Sequence, residues 1–350
     1  MKLGTKIFLI LLLLILLVTG GYAGYLFIGD NRLDDNQTLE VVKPVSEKLE
    51  AGTTYKMMSF NIAYGVTDSQ FSTFIEGGSG SKAKSEDAVR ENMGKIEEQI
   101  AAYAPDIALL QAIDTDSKRS WNVDENAMLE NYLEGYSHID AVTLHSKNVL
   151  WPLNDPFGKN NAVMSTYSKY AISSGIRRSL PMNDGVMRLF TGDHCYQKIE
   201  MEVANGKKLI VYNVELTSNE EADTQVQELL KDIVAESSSG NYIIAGGSFN
   251  KDLLIRSSYY FNVQPPKGVL WSERFPVESI PEGLTLLADE ETPTRRNADM
   301  DYQWGYTYVC SSDGYIVSSN VEVKNFEAQN LRFQTSSHNP VVLEFVLSEN

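Results

Sequence analysis

A serine and an asparagine stand two residues apart at the end of an apolar run, Tyr242-Ile-Ile-Ala-Gly-Gly-Ser-Phe-Asn-Lys251. Tyr242 to Ala245 reads as a buried strand. Gly246 and Gly247 let the backbone turn where a side chain would obstruct it, a structural rather than a ligand-contacting role. Ser248 and Asn250, at i and i+2, are then set to face one site from the strand's end, where α/β proteins place chemistry. Two arginine pairs, Arg177-Arg178 and Arg295-Arg296, have the forked geometry that grips a phosphate, with solvated arginines as the plainer expectation. Trp121, Trp151, Trp271 and Trp304 offer walls for a sugar or lipid pocket, with core packing as the default.

Around this run the chain alternates strands and helices without a strict order. Lys56 to Tyr64 reads as a strand ending at Gly65, and residues 67–84 form a long Gly/Ser/Lys loop of the kind that borders sites. Ser85 to Tyr103 is a predicted amphipathic helix. Val89, Met93, Ile96, Ile100 and Tyr103 make its apolar stripe, Glu86 and Asp87 favour its first turn, and Pro105 stops it. Asp106 to Gln111 is the next strand, and a helix is expected over Glu125 to Leu133. Strands follow near His138–Leu144 and Ala162–Ser165, then a hairpin from Gln197 to Leu216 with Asn205-Gly206 at its turn. A helix over Glu220 to Ala235 precedes the Tyr242 strand, residues 255–305 are Pro-rich and irregular, and strands close the chain at Tyr315–Val317 and Val341–Val346. This pattern implies an α+β or layered α/β domain with a sizeable core.

The formal net charge of -17 repels polyanions, so non-specific nucleic-acid binding is not expected. Ile7 to Ile28 carries no charge over 22 residues, enough for a helix to span ~30 Å of hydrocarbon. Lys2 and Lys6 precede it and an acidic segment begins at Asp30. Residues 1–29 are therefore expected to form a transmembrane signal anchor with a cytoplasmic amino terminus in the cell membrane. A cleaved signal peptide ending near Ala23 and Gly24 is the competing reading, and would make the domain secreted. Residues 30–54 read as a polar extracytoplasmic tether, and residues 55–350 as the globular domain. Cys195 and Cys310 are far apart in sequence, which says nothing about proximity; the unpaired state is expected.

Six stretches, in order, resemble motifs of the endonuclease/exonuclease/phosphatase (DNase I-like) superfamily. They are Ser59-Phe60-Asn61-Ile62, Asp106 to Asp114 (Asp-Ile-Ala-Leu-Leu-Gln-Ala-Ile-Asp), Tyr212-Asn213-Val214-Glu215-Leu216, Gly246-Gly247-Ser248-Phe249-Asn250 with Asp313-Gly314-Tyr315-Ile316, and Ser337-His338-Asn339-Pro340-Val341. The resemblance implies a four-layered sandwich of two mixed β-sheets flanked by helices. It also implies hydrolysis of phosphate esters, with Mg²⁺ on a glutamate, an aspartate activating water, and a histidine stabilising or protonating.

Carried over residue by residue, the resemblance retains Asn61, Asn250, Asp313 and His338. It places Ala112 at the metal-ligating glutamate, Ser248 at the base aspartate, Ser337 at the aspartate before the last histidine, and Glu215 at a further histidine. Loss of a general base alone costs ~10²–10⁴ in rate, and Mg²⁺ without its carboxylate is held weakly. The expectation is a pseudoenzyme that keeps a binding cleft for a phosphate ester or a protein, with no cofactor. The alternative is an active phosphodiesterase or phosphatase with Mg²⁺ or Mn²⁺ at a rearranged site using Glu215, Asp313 and His338. A third possibility is a cell-envelope interaction domain with the cleft closed. Glu215 facing solvent from a loop, and His338–Asp313 as a satisfied core pair, are the bland readings of those residues.

Overall fold

The computed structural model describes residues 3–28, 32–182, 186, 188–218 and 221–349. Lys2, Asp30 and Glu220, which entered the expectations for the anchor, the tether and a helix start, lie outside them. The labelled strands below are β1 (Thr54–Asn61), β2 (Ile107–Asp114), β3 (Lys208–Glu215), β4 (Tyr242–Ser248), β5 (Asp313–Ser318) and β6 (Val341–Leu347). The labelled helices are α1 (Leu3–Phe27), α2 (Glu86–Tyr103), α3 (Glu125–Tyr132) and α4 (Ala222–Ser237).

Two mixed sheets face each other. One runs Val321–Ala328, β6, β1, β2, Asn161–Ser168, Ser137–His145; the other runs Gln37–Thr38, Ile172–Ser179, Cys195–Glu202, β3, β4, β5, Leu284–Leu287. Each holds one parallel pair, β1–β2 and β3–β4, and parallel neighbours need a crossover, which α2 and α4 supply. Side-chain alternation assigns the layers. From β1 and β2, Met57 and Leu109 point between the sheets to meet Val211, Ile244, Tyr315 and Leu343. Their neighbours Met58, Phe60, Ala108 and Leu110 point outward beneath Val89, Met93, Ile96 and Ile100 of α2. On the other flank Val226, Leu229 and Ile233 of α4 cover Ile210, Tyr212 and Ile243. The expected four-layered sandwich is the architecture found.

Local signals fix the elements as read. Ser85 caps α2, its hydroxyl accepting from Ala88 N at 3.1 Å, and Ala104 ends it in the left-handed region with φ 47°. Gly247 has φ 148°, and a Cβ there would lie 2.0 Å from the Val214 carbonyl oxygen, so only glycine lets β4 approach β3 at this point. The space between the sheets turns polar toward one end. Gln111 donates to Asn213 Oδ1 (2.7 Å), Asn213 Nδ2 to Thr166 Oγ1 (3.1 Å), and Thr166 Oγ1 to Gln197 Oε1 (2.7 Å). All four are fully buried.

Two expectations are corrected. The described part of the expected tether, 32–54, is laid along the domain. Gln37–Thr38 pairs with Ile172–Ser179, Leu49 is fully buried in the inter-sheet core, and Arg32 Nε reaches Asp193 at 3.1 Å. Apolar residues at spaced positions (Leu39, Val41, Leu49) in a polar segment give it enough to bury. The irregular 255–305 region does contain order: a helix at Ser257–Phe261, and short strands at Leu284–Leu287 and Arg295–Arg296. Finally α1 spans 25 residues with mean hydropathy 2.5, long and apolar enough to cross a membrane by length and composition.

Candidate functional site

The polar end of the inter-sheet space opens into a cavity of about 470 Å³ lined by Asn61, Ala112, Glu215, Asn250, Ser337 and His338, with Tyr64, Arg119, His194, Trp271 and Arg295. Strand register puts the first set there. Glu215 at the end of β3 pairs with Ser248 of β4, which pairs with Asp313 of β5. On the facing sheet Asn61 ends β1 opposite Gln111. Ala112 sits in a β-bulge at φ 57°, where the register between β2 and Asn161–Ser168 shifts, and this turn aims its methyl at the cavity. An open cleft bordered by Asn61, Asn250 and His338 is therefore present, as the pseudoenzyme expectation required, and this counts against the third possibility of a closed one.

Glu215 is the hub. It is buried, not in a solvent-facing loop, and Asn61 Nδ2 donates to its Oε1 at 3.2 Å. Burial raises its pKa to about 7, opposed by the Asn61 hydrogen bond and the charges of Arg119 and Arg295. Arg119 forks onto Asp114, Nε to Oδ2 at 2.9 Å and Nη2 to Oδ1 at 2.7 Å, and stacks 3.2 Å from the Tyr64 ring centre. Burial works against the Arg119 charge, but Asp114, Tyr64 and Glu125 together more than offset this and raise its pKa. Arg295 lies 4.0 Å from the Trp271 ring centre, donates to Asn250 Oδ1, and pairs with Glu76 at 2.8 Å. Its Nε is buried with no hydrogen-bond partner. Burial drops the His194 pKa to about 4, so that ring is neutral at pH 7; its Nδ1 lies 3.3 Å from the Glu215 carbonyl oxygen.

His338 and Asp313 meet as the resemblance implied. Nδ1 lies 3.0 and 2.9 Å from the two carboxylate oxygens, so Nδ1 carries the proton and Nε2 is the nitrogen left for the cavity. The carboxylate also accepts from the Ser312 hydroxyl at 3.1 Å. Asn250 adopts φ 49° and donates to the Leu216 carbonyl at 2.6 Å.

Ser248 departs from expectation. It does not share a face with Asn250 but is fully buried behind it, its hydroxyl donating to Asn250 Oδ1 at 3.4 Å. Of the arginine pairs, Arg177, Arg295 and Arg296 are buried rather than solvated, and Arg178 is half-buried and paired with Asp35 and Asp232. Arg177 is a strut, donating to the carbonyls of Val142 (2.9 Å) and Asp193 (2.9 Å). Arg296 similarly ties the long loop down through the Phe71 carbonyl (2.8 Å) and its own loop through Met300 (3.0 Å). Of the tryptophans only Trp271 is buried; Trp121, Trp151 and Trp304 are exposed. The two cysteines are free and buried, and burial pushes the Cys195 thiol up to about 12. Tyr64, Glu76, Arg119 and His194 were missed by sequence reasoning. Only the five-residue spacing from Asp114 to Arg119 offered a signal, and it is too common to single out.

The resemblance implies a divalent metal, and the donor set does not fit one. Ala112 brings no donor atom, Ser248 is buried behind Asn250, and the carboxylates that line the cavity are engaged, Glu215 by Asn61 between two guanidinium charges and Glu76 by Arg295. Among the described residues no three His, Cys, Asp or Glu side chains converge as ligands.

No family model matches the chain, and no curated protein matches its sequence. Solved structures do. An endonuclease/exonuclease/phosphatase from Beutenbergia cavernae superposes with TM-score 0.54 at 15% identity, covering 84% of this chain and 72% of that one. The chain has the endonuclease/exonuclease/phosphatase fold. A family protein from Leptotrichia buccalis gives TM-score 0.52 at 14% identity, over 83% of this chain and 99% of its own. ANGEL2, described as a 2',3'-cyclic phosphatase in complex with adenosine-2',3'-vanadate, gives 0.52 at 13% identity, over 91% and 99%.

Proposed function

We propose that this chain is a membrane-anchored, extracytoplasmic pseudoenzyme of the endonuclease/exonuclease/phosphatase fold, which binds a phosphate ester in its cleft without hydrolysing it. One observation carries the reading: the bulge at Ala112 aims a methyl group, not a carboxylate, into an open cavity that Asn61, Glu215, Asn250 and His338 also line. The water-activating position is held by Ser248, whose hydroxyl is no general base and is engaged with Asn250 Oδ1. A phosphodiester gains charge as it is attacked, and a cleft without metal or base leaves both needs unmet. What this chain's residues do offer is anion recognition. Arg295 presents a buried, unpartnered Nε beside Trp271, and Asn250 holds its guanidinium in place. Anchoring is supported by α1, by Lys6 before its apolar run, and by the acidic domain that follows.

The test uses the full chain in detergent, with an activated phosphodiester and Mg²⁺ or Mn²⁺. The wild type is expected to show no metal-dependent turnover. The combined variant Ala112→Glu, Glu215→His, Ser248→Asp and Ser337→Asp is expected to gain it. Metal-dependent hydrolysis by the wild type would overturn the reading and direct attention to Glu215, Asp313 and His338.

A further inference from the structure

The last turns of α1 are fastened to the domain. Tyr22 Oη donates to the Asn148 carbonyl at 3.2 Å and accepts from Leu150 N at 2.6 Å, and Tyr25 Oη accepts from Asn148 N at 3.2 Å. Leu26 is buried against Val149, Phe157 and Phe190. The segment so held, residues 146–160, joins Ser137–His145 to Asn161–Ser168 at the cavity end of the sheets, because Ala162 pairs with Asp114 there. Phe157 and Phe190 serve both contacts, packing on Leu26 and lining the cavity.

This segment exposes Leu150 (44%), Trp151 (59%) and Leu153 (78%) to its surroundings. Three large apolar side chains within four residues are costly to leave in water. Their position says what covers them. At 1.5 Å per residue α1 rises ~37 Å, somewhat more than the ~30 Å of a hydrocarbon core, so Tyr22 and Tyr25 fall at its far boundary. That is the depth at which tyrosine and tryptophan collect. A segment hydrogen-bonded to those two tyrosines lies at the same depth, and Lys147, 5.9 Å from the Tyr25 ring centre, puts a cation at the level of the phosphates.

We propose that residues 148–153 rest in the lipid interface, with Leu150, Trp151 and Leu153 at the boundary of headgroups and acyl chains, and that the cavity mouth is thereby turned toward the headgroups. The inference rests on the anchored reading above, and the experiment separates the two. The full chain is reconstituted into phosphatidylcholine vesicles and floated on a density gradient. Tryptophan emission is then compared between wild type and Trp151→Phe, with lipids brominated at shallow acyl positions as quenchers. In parallel, Leu153→Cys and Glu322→Cys are labelled with an environment-sensitive fluorophore. The native cysteines are buried and stay unlabelled, and Glu322 lies at the opposite end of the sheets, paired with Val346.

The expected result is flotation, quenching that is lost in Trp151→Phe, and a blue shift for the Leu153 label but none for the Glu322 label. Flotation with equal quenching in wild type and Trp151→Phe overturns the inference and leaves the anchor standing. Failure to float overturns both. Should Leu153→Cys not fold, the Trp151 comparison decides alone.

Discussion

Glu215 is where burial and charge oppose each other most directly. Its folded-state pKa of about 7 lies above the ordinary 4.5, so the folded chain holds this proton more tightly than the unfolded one. The stability it contributes is complete below pH 4.5 and is lost as pH rises through about 7. The shift corresponds to about 3 kcal/mol. Glu215→Gln keeps the shape and the Asn61 contact but cannot ionise. Chemical denaturation should therefore show wild type and variant alike near pH 4, and the variant more stable by up to about 3 kcal/mol near pH 8. Equal pH profiles would mean that the carboxylate is better solvated than its burial implies. Ala112 carries the opposite lesson. Its left-handed backbone costs roughly 1–2 kcal/mol for a residue with a Cβ. The bulge that requires it remains, so Ala112→Glu needs no change of backbone to put a carboxylate in the cavity.

At the scale of elements, the close approach of β3 and β4 fixes the row Glu215, Ser248, Asp313. Gly247→Ala would drive a methyl into the Val214 carbonyl, and should destabilise the chain by more than about 3 kcal/mol in urea unfolding, as backbone strain and repacking combine. Asn213 sits in the polar layer beneath, donating to Thr166 and accepting from Gln111. Asn213→Leu should cost about 1–3 kcal/mol by leaving those partners unpaired; an unchanged unfolding midpoint would show the layer to be dispensable. Much of this level was legible beforehand. The stripe from Val89 to Ile100, the acidic first turn at Glu86 and Asp87 and the hairpin at Asn205-Gly206 are local patterns, and local patterns survive folding. The six ordered motifs placed Asn61, Asn250, Asp313 and His338 at one mouth because strand ends carry them. What could not be read depends on partners distant in the chain. Nothing near Arg177 or Arg296 announces that each will be buried holding carbonyls of other segments. Nor does the spacing of Ser248 and Asn250 reveal that Ser248 will be fully buried behind Asn250, whose backbone takes φ 49°.

Over the whole molecule, the domain boundary moves. Because Leu49 is in the core and Gln37–Thr38 extends a sheet, removing residues 1–31 should lower urea stability only by what the Tyr22, Tyr25 and Leu26 contacts contribute. Removing residues 1–54 should lower it by about 2–5 kcal/mol for the buried leucine alone. Equal stability of the two truncations would restore the view of 32–54 as a passive linker. A free linker of 25 residues, the length from 30 to 54, would wander about 25–30 Å from its attachment point. Instead Ile28, the residue after α1, is only four positions from Arg32, which is already held by Asp193. Four residues reach no more than about 14 Å when fully stretched. For an anchored chain this is a short leash, and its consequence is kinetic. Encounters become a search in two dimensions: the cleft meets what diffuses laterally in its own bilayer or comes to that surface, and cannot reach across to a second one.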